Sequence, residues 1–96
     1  MSYISATPFK INNMELKNRI IMLVMHTGFS TGGQLTDQDM AFFEERAKGG
    51  AAAITQVCGV SDYGAADNMP NVKEESFFER EKALTDMIHS HGTKHI

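Results

Sequence analysis

Two short segments of the chain are continuously apolar and lack the alternation of a half-exposed strand. The first covers residues 20–25, which read IIMLVM. The second covers residues 51–57 and is less rich in β-branched side chains. A short continuous apolar run is typical of a parallel strand covered on both faces. We therefore predict buried parallel strands at both segments and the beginning of a third at residues 93–96.

Two longer segments between these strands carry the signals of helices. Thr36 is a good N-cap, and Asp39 follows three residues later, as in a capping box. Gly49 is suited to end this helix in the left-handed conformation. The second predicted helix covers residues 77–91 and ends at Gly92. Its apolar residues are spaced by seven and four positions and share one face: Phe77, Leu84 and Ile88.

The predicted order is strand, helix, strand, helix and the start of a strand. This alternation is typical of an α/β fold with a parallel sheet and right-handed crossovers. The loops after the strands, residues 26–35 and 58–76, are long, whereas the turns before the strands are short. The asymmetry favours a (β/α)8 barrel, whose sites lie at the C-terminal ends of the strands. A doubly wound sheet follows the same site rule, so the pattern leaves both folds open.

The chain begins with a lead-in that contains a predicted turn at Asn12 and Asn13, and this hairpin is suited to cover the bottom of a barrel. A barrel of roughly 250 residues uses about 30 residues for each strand–helix unit. The 96 residues therefore hold two units and the start of a third strand. We predict one partial domain over residues 1–96, the N-terminal part of a barrel with two open strand edges.

Composition and charge indicate an ordinary globular protein. The chain is 42% hydrophobic and 22% charged, with a formal net charge of −3. This balance argues against a nucleic-acid partner and against a polybasic membrane patch. Cys58 is the single cysteine, so no disulfide forms within the chain. The apolar runs fall short of the roughly 20 residues of a membrane span, and residues 1–10 lack a secretion signal. We expect a cytoplasmic protein.

Three motifs follow one another along almost the whole chain. Residues 16–22 and 25–28 read LKNRIIM and MHTG, residues 42–50 read FFEERAKGG, and residues 88–94 read IHSHGTK. In order and spacing they resemble the N-terminal region of the old yellow enzyme family of FMN-dependent oxidoreductases. The resemblance is greatest to the branch of 2,4-dienoyl-CoA reductase and related NADH:flavin oxidoreductases.

The resemblance implies a TIM barrel that holds FMN at the C-terminal ends of its strands. It further implies that hydride passes from NAD(P)H through FMN to a small-molecule substrate with an activated alkene, such as an enone or an enoyl thioester. His26 takes the position that tunes the carbonyl edge of the flavin. The implied flavin contacts follow the first two long strands: Val24, Met25, His26, Thr27, Cys58 and Gly59.

The resemblance places the rest of the machinery outside these residues. In the family the proton-donating Tyr, the substrate-activating pair and the phosphate-binding loops come from later strands, so no catalytic residue is assigned here. The cysteines of an iron–sulfur cluster, in longer relatives, also lie beyond this segment. Residues 56–58 replace a Gly-rich stretch of the family, which removes room for close backbone approach. We expect the 96 residues alone to bind FMN weakly and to be inactive.

Several residues also have simple structural interpretations. Without the resemblance, His26 is a polar residue at a strand end. Cys58 is better interpreted as a small buried residue than as a redox thiol, because no base or second cysteine accompanies it. Gly32 and Gly33 lack the pattern of a phosphate-binding loop and indicate a mobile loop. The acidic residues of the second long loop indicate a solvated surface: Asp62, Asp67, Glu74 and Glu75.

The three histidines near the end of the chain do not predict a metal site. His89 and His91 lie on different faces of the predicted helix, and Gly92 interrupts the helix before His95. Two other functions stay open at this point. One is a non-catalytic βαβα module that assembles with itself or another fragment through its open sheet edges. The other is a different TIM-barrel enzyme with a phosphorylated substrate, against which the segment 26–28 argues.

Overall fold

The computed structural model describes residues 3–59, 69–72, 75 and 77–96. After a 3₁₀ turn at Ile4–Ala6, the elements are β1 (Phe9–Ile11), β2 (Met14–Leu16), β3 (Ile21–Met22), α1 (Asp37–Lys48), β4 (Ala53–Ile54), α2 (Phe77–Ser90) and β5 (Lys94–His95). Strands β3, β4 and β5 form a parallel sheet with β4 in the centre. The predicted α/β order is therefore confirmed. The predictions for Asp62, Asp67 and Glu74 lie outside the described residues, and Glu75 is exposed as expected.

Strands β1 and β2 form the hairpin expected in the lead-in. They pair antiparallel, with Phe9 opposite Leu16 and Ile11 opposite Met14. Asn12 adopts a φ of 51° at the turn, a left-handed conformation that asparagine tolerates better than most residues. Leu16 is buried with Ala52 and Ala53, so the hairpin is packed against the start of the central strand.

The motif at residues 17–19 joins the lead-in to both helix–strand turns. Lys17 Nζ donates a hydrogen bond to the carbonyl of His91 at 2.9 Å, at the end of α2. Asn18 Nδ2 donates to the carbonyl of Gly50 at 2.6 Å, just after α1. Arg19 Nε donates to Thr7 Oγ1 at 3.1 Å, within the lead-in. Lys17 and Asn18 satisfy turn carbonyls far along the chain, and Arg19 bonds within the lead-in, so this part of the family-like motif is structural.

The prediction of a fully covered strand at residues 20–25 is wrong in extent and in burial. Only Ile21–Met22 is strand, and Ile20 and Leu23 are 53% and 75% exposed. The physical reason is that β3 lies at the edge of the sheet, because among the described residues it pairs with β4 alone. The central strand β4 is shorter than the predicted segment 51–57, but its residues are completely buried.

The first helix begins as predicted and ends one residue later than expected. Thr36 is the N-cap, and the reciprocal bonds of a capping box with Asp39 are both present. The prediction for Gly49 is wrong, because Gly49 has a right-handed φ of −67° and Gly50 takes the positive φ of 106°. Gly50 is able to do so because it has no Cβ. Of the described helices, none is long and apolar enough to cross a membrane.

The main core lies between the two helices and one face of the parallel sheet. The predicted face of α2 is confirmed, because Phe77, Leu84 and Ile88 are all buried. Gly92 follows α2 with a φ of 74°, as expected for a helix end. The buried cluster between helices and sheet consists of Leu35, Phe43, Ala47, Ile54, Leu84 and Ile88.

Candidate functional site

The end of β3 presents an exposed apolar surface followed by two polar residues. Val24 and Met25 are each 55% exposed, and His26 is exposed beside them. Thr27 is partly buried because its side chain turns toward α1. This end of the sheet is where α/β proteins bind ligands, so the structure puts the first group of predicted site residues in a position open to a ligand.

The ends of β3 and β4 come together at this edge of the sheet. Met25, His26 and Thr27 share a small internal space of about 10 Å³ with Gln56 and Val57. The convergence follows from the parallel pairing of Met22 with Ile54, because parallel strands end on the same side. A surface formed by residues from both strands is therefore present, with Gln56 and Val57 next to the predicted residues.

Cys58 and Gly59 follow Gln56 and Val57 at the end of β4, but neither lines the small space shared with residues 25–27. Gly59 is buried, and its backbone is already used: its N–H donates to the carbonyl of Pro70 at 2.7 Å, and its carbonyl accepts from the N–H of Val72 at 3.0 Å. Gly59 therefore has no free backbone N–H for a ligand. Cys58 borders a depression of about 410 Å³ that also includes Gln56 and Glu81.

Burial raises the pKa of the Cys58 thiol above its ordinary value, and the nearby Glu81 carboxyl raises this pKa further. A weaker effect of the opposite sign comes from a backbone hydrogen bond at Val72. The thiol therefore stays protonated at neutral pH, and a protonated thiol is a poor nucleophile. This environment agrees with the interpretation of Cys58 as a packing residue.

A buried carboxylate holds the loop that carries His26 and Thr27. Asp39 is 1% exposed, and its Oδ1 accepts a hydrogen bond from Thr27 Oγ1 at 2.8 Å. Its Oδ2 accepts from Ser30 Oγ at 2.7 Å and from the backbone N–H of Thr36 at 3.0 Å. We call these four residues the Asp39 network. It fastens both ends of the loop to the first turn of α1.

A second polar network supports the end of β4. His95 Nε2 lies 2.6 Å from Gln56 Oε1, and His95 Nδ1 lies 2.8 Å from Thr85 Oγ1. Gln56 Nε2 donates to Glu81 Oε2 at 3.1 Å. A neutral His95 with its proton on Nε2 donates to Gln56 and accepts from Thr85, so all these bonds are satisfied at once. We call these four residues the Gln56 network.

Burial is the main electrostatic effect in the Gln56 network. It lowers the pKa of His95, and the charge of His89 lowers that pKa further. Burial also raises the pKa of Glu81, while the hydrogen bond from Gln56 opposes this shift. Both shifts favour the neutral forms. His95 and Glu81 lie 3.7 Å apart, but the lowered pKa of His95 leaves the pair without a full ion pair at neutral pH.

The remaining predicted features resolve into local structure. Gly32 and Gly33 form a turn closed by two hydrogen bonds between Thr31 and Gln34, and the mobility indicated by the sequence stays a prediction. The turn is fixed further because the carbonyl of Gly33 accepts from the N–H of Asn71 at 2.9 Å. Within the described part of the chain, no group of three or more His, Cys, Asp or Glu side chains is arranged to hold a metal ion.

Comparison with known proteins identifies the family to which this chain belongs. The model of the NADH:flavin oxidoreductase / NADH oxidase family matches residues 6–96. The chain belongs to this family. A metal reductase from Desulforamulus reducens is 36% identical over 89 residues, which are 92% of this chain and 13% of the reductase. The predicted resemblance to FMN-dependent oxidoreductases is confirmed at the level of the family.

Solved structures of the NADH:flavin oxidoreductase family share the fold of this chain. A 2-naphthoyl-CoA reductase in complex with 2-naphthoyl-CoA superimposes with a TM-score of 0.88 at 26% identity, over 96% of this chain and 14% of that protein. Old Yellow Enzyme from Pichia sp. AKU4542 gives a TM-score of 0.85 at 21% identity, over 96% of this chain and 25% of that enzyme. These neighbours belong to a TIM-barrel family. The chain spans a quarter or less of each of these proteins.

Sequence reasoning missed the supporting residues of the site. The capping box identified Asp39 as a helix-capping residue, but its bond to Thr27 depends on how the loop folds back. From the sequence, Gln56 is a strand residue in place of a glycine of the family, whereas in the structure its side chain bonds to both His95 and Glu81. The sequence signal that could have found the Gln56 network is a polar residue at the end of an otherwise apolar strand, because such a residue needs hydrogen-bond partners.

Proposed function

We propose that this chain is the N-terminal part of an FMN-dependent oxidoreductase that moves hydride from NAD(P)H through FMN to an activated alkene. The single observation that carries the proposal is the open surface of residues 24–26, which lies at the C-terminal end of a parallel strand in a member of this family. In α/β folds such strand ends are where cofactors bind.

The residues at the end of β3 fit a flavin. The isoalloxazine ring is flat and largely apolar, and Val24 and Met25 offer exposed apolar side chains of matching character. His26 adds an imidazole that donates a hydrogen bond to a carbonyl. Gly59 fits less well, because its own N–H and carbonyl are bonded within the chain. We therefore assign the flavin contact on the β4 side to Cys58 and its surroundings.

In the proposed enzyme, FMN supplies the hydride chemistry when it is bound. The residues of this chain orient the ring and set the electrostatics of its edge. His26 is proposed to donate to a carbonyl oxygen of the flavin, where negative charge accumulates on reduction. Val24 and Met25 exclude water from one side of the ring.

We propose an α,β-unsaturated carbonyl compound as the substrate, either an enone or an enoyl thioester. The carbonyl of such a compound stabilises the negative charge that develops when hydride reaches the alkene. The structural neighbour that holds 2-naphthoyl-CoA, a conjugated thioester, supports the thioester class. The non-catalytic module that assembles through sheet edges is less favoured, because the chain matches an enzyme family over residues 6–96.

We expect the 96-residue chain by itself to bind FMN weakly and not to oxidise NADH. In the family the phosphate-binding loops and the proton donor come from later strands, so these residues supply only part of the contacts of the cofactor. The test is a fluorescence titration of the purified chain with FMN, together with an NADH oxidation assay. Sub-micromolar binding or NADH oxidation would contradict this expectation.

The titration includes a matched pair of histidine variants. His26→Ala removes the imidazole at the proposed flavin edge, whereas His89→Ala removes an exposed imidazole on α2. The loss of one hydrogen bond to a charged or polarised partner predicts a weakening of about tenfold for His26→Ala, with no change for His89→Ala. Equal affinity of both variants would show that His26 does not contact the flavin.

A further inference from the structure

We propose that Asp39 is a positioning residue for the flavin-side loop, and this inference rests on the proposed function. Asp39 lines the small space between the strand ends together with Met25, His26 and Thr27. It acts through Thr27, because its Oδ1 accepts a hydrogen bond from the Thr27 hydroxyl at 2.8 Å. The carboxylate thereby selects the conformation in which His26 and Thr27 follow β3.

The first step of the argument is the burial of Asp39. A carboxylate that is 1% exposed is costly to remove from water unless its lone pairs are satisfied. The Asp39 network satisfies them with neutral donors, and the first turn of α1 adds the favourable end of the helix dipole. Within the described residues, no buried side-chain polar atom lacks a partner, so the network is complete.

The second step is that capping α1 needs only part of this arrangement. A capping box requires the Asp39 side chain to accept from the backbone of Thr36, which Oδ2 does at 3.0 Å. Oδ1 is not needed for the cap, and it accepts from Thr27 instead. The same side chain therefore has one oxygen for the helix, shared with Ser30, and one oxygen for the loop that follows β3.

The third step concerns what Thr27 has left for a ligand. Its hydroxyl donates to Asp39 and accepts from the N–H of Phe29 at 3.2 Å. These two bonds hold the hydroxyl toward α1 and the Phe29 backbone. The direction in which the Thr27 backbone leaves β3 therefore depends on the bond to Asp39.

The substitution Asp39→Asn separates the loop from the cap. An asparagine that keeps its oxygen toward Ser30 and Thr36 preserves the cap, and its NH₂ group then faces Thr27. The Thr27 hydroxyl loses its acceptor, and its bond to the Phe29 N–H is disturbed. The matched control is Asp37→Asn, which removes another carboxylate from the first turn of α1, one whose side chain is 99% exposed.

The experiment measures amide hydrogen exchange by NMR in the 96-residue chain, with and without added FMN. For Asp39→Asn we expect amide exchange at Phe29 to accelerate by about tenfold or more. The reason is that the Thr27 hydroxyl, which accepts from the Phe29 N–H, loses its own bond to the charged Asp39. Exchange at Thr36 and the urea midpoint should match Asp37→Asn. FMN-dependent shifts at residues 25–27 should require a higher FMN concentration in Asp39→Asn only.

Two further observations make the test decisive. Thr27→Val removes the same bond from the other side, so combining it with Asp39→Asn should add little, and it replaces Asp39→Asn if that variant does not fold. Thr27→Val also deletes the acceptor of the Phe29 N–H, so Phe29 exchange is decisive only in Asp39→Asn, where an unchanged rate would overturn the role of Asp39. In Thr27→Val the decisive measurement is the FMN concentration that shifts residues 25–27, and no change in it would likewise overturn the role. If wild-type amides do not respond to FMN at any concentration, the proposed function fails, while the exchange data still decide on Asp39.

Discussion

At the scale of single residues, one buried and one partly buried side chain hold the strand ends that form the candidate site. Asp39 joins the loop after β3 to the first turn of α1. Gln56 joins the end of β4 to His95 on β5 and to Glu81 on α2. Each polar group is bonded, which gives these positions one arrangement instead of several. The surface of residues 24–26 is therefore supported from two sides.

The buried histidine of the Gln56 network makes stability depend on pH. The pKa of His95 is lowered from its ordinary value of 6.5, so the unfolded chain takes up this proton first as the pH falls. The free energy of unfolding should therefore decrease as the pH drops through about 6.5 toward the folded-state pKa. Glu81 contributes with the opposite sign, because its pKa is raised and the folded chain takes up that proton first.

We expect His95→Gln to reduce this pH dependence, and urea denaturation at a series of pH values from about 7 to about 5 measures it. Glutamine keeps a group that bonds to Gln56 but does not titrate. His91→Gln is the control, since it removes a partly exposed histidine beside Glu44 and leaves the Gln56 network intact. Parallel stability curves for the wild-type chain and His95→Gln would contradict the role assigned to His95.

At the scale of elements, helix ends and short turns set the positions of the strands. α1 begins at a capping box, and its end is joined to the lead-in through the bond from Asn18 to the Gly50 carbonyl. The end of α2 is held in the same way by Lys17. Because both helices are fixed at their C-terminal turns, β4 starts in register beside β3, and β5 starts in register beside β4.

The cap of α1 provides a test at this scale. We expect Thr36→Ala to lower the free energy of unfolding by about 1 kcal/mol, because the hydroxyl accepts from the N–H of Asp39 and donates to the carbonyl of Phe29 at 2.9 Å. Thr36→Ser keeps the hydroxyl and should stay close to the wild type. Urea denaturation compares the three chains, and equal losses in both variants would show that the hydroxyl is not what stabilises the cap.

At the scale of the whole chain, the parallel sheet has open edges in the part that the structure describes. Among those residues β3 and β5 each pair on one side only, and the apolar residues Leu23 and Ile96 are 75% and 59% exposed. Exposed strand edges beside apolar surface are prone to pairing with another chain. We therefore propose that the purified 96-residue chain associates with itself through this region.

Light scattering during size-exclusion chromatography tests the association at several protein concentrations. Leu23→Lys places a charge next to the β3 edge and should shift the chain toward the monomer. Phe78→Lys is the control, since it changes an apolar residue of similar exposure, 57%, on α2 without altering the edge. A wild-type chain that is monomeric at every concentration would refute the association.

Much of the fold followed from signals that act over a few residues. The capping box at Thr36, the apolar face of α2 and the turn at Asn12 need only neighbouring positions, and all three are confirmed. The prediction of a positive φ at Gly49 is wrong, because the neighbouring Gly50 takes it instead. Both residues permit this conformation, and the final turn of α1 decides between them. The depth of burial of residues 20–25 was wrong because hydropathy does not say whether a neighbouring strand is present.

The sequence by itself determined the order of elements, the helix start and the family, since these depend on local periodicity and on motifs in a fixed order. The tertiary structure decided which predicted site residues face a common surface. It placed residues 25–27 beside Gln56 and Val57 and used the backbone of Gly59 within the chain. It also joined Asp39 to Thr27 and Gln56 to His95. These partners are 12 and 39 positions apart, and only the packing of helices on the sheet brings them within hydrogen-bond distance.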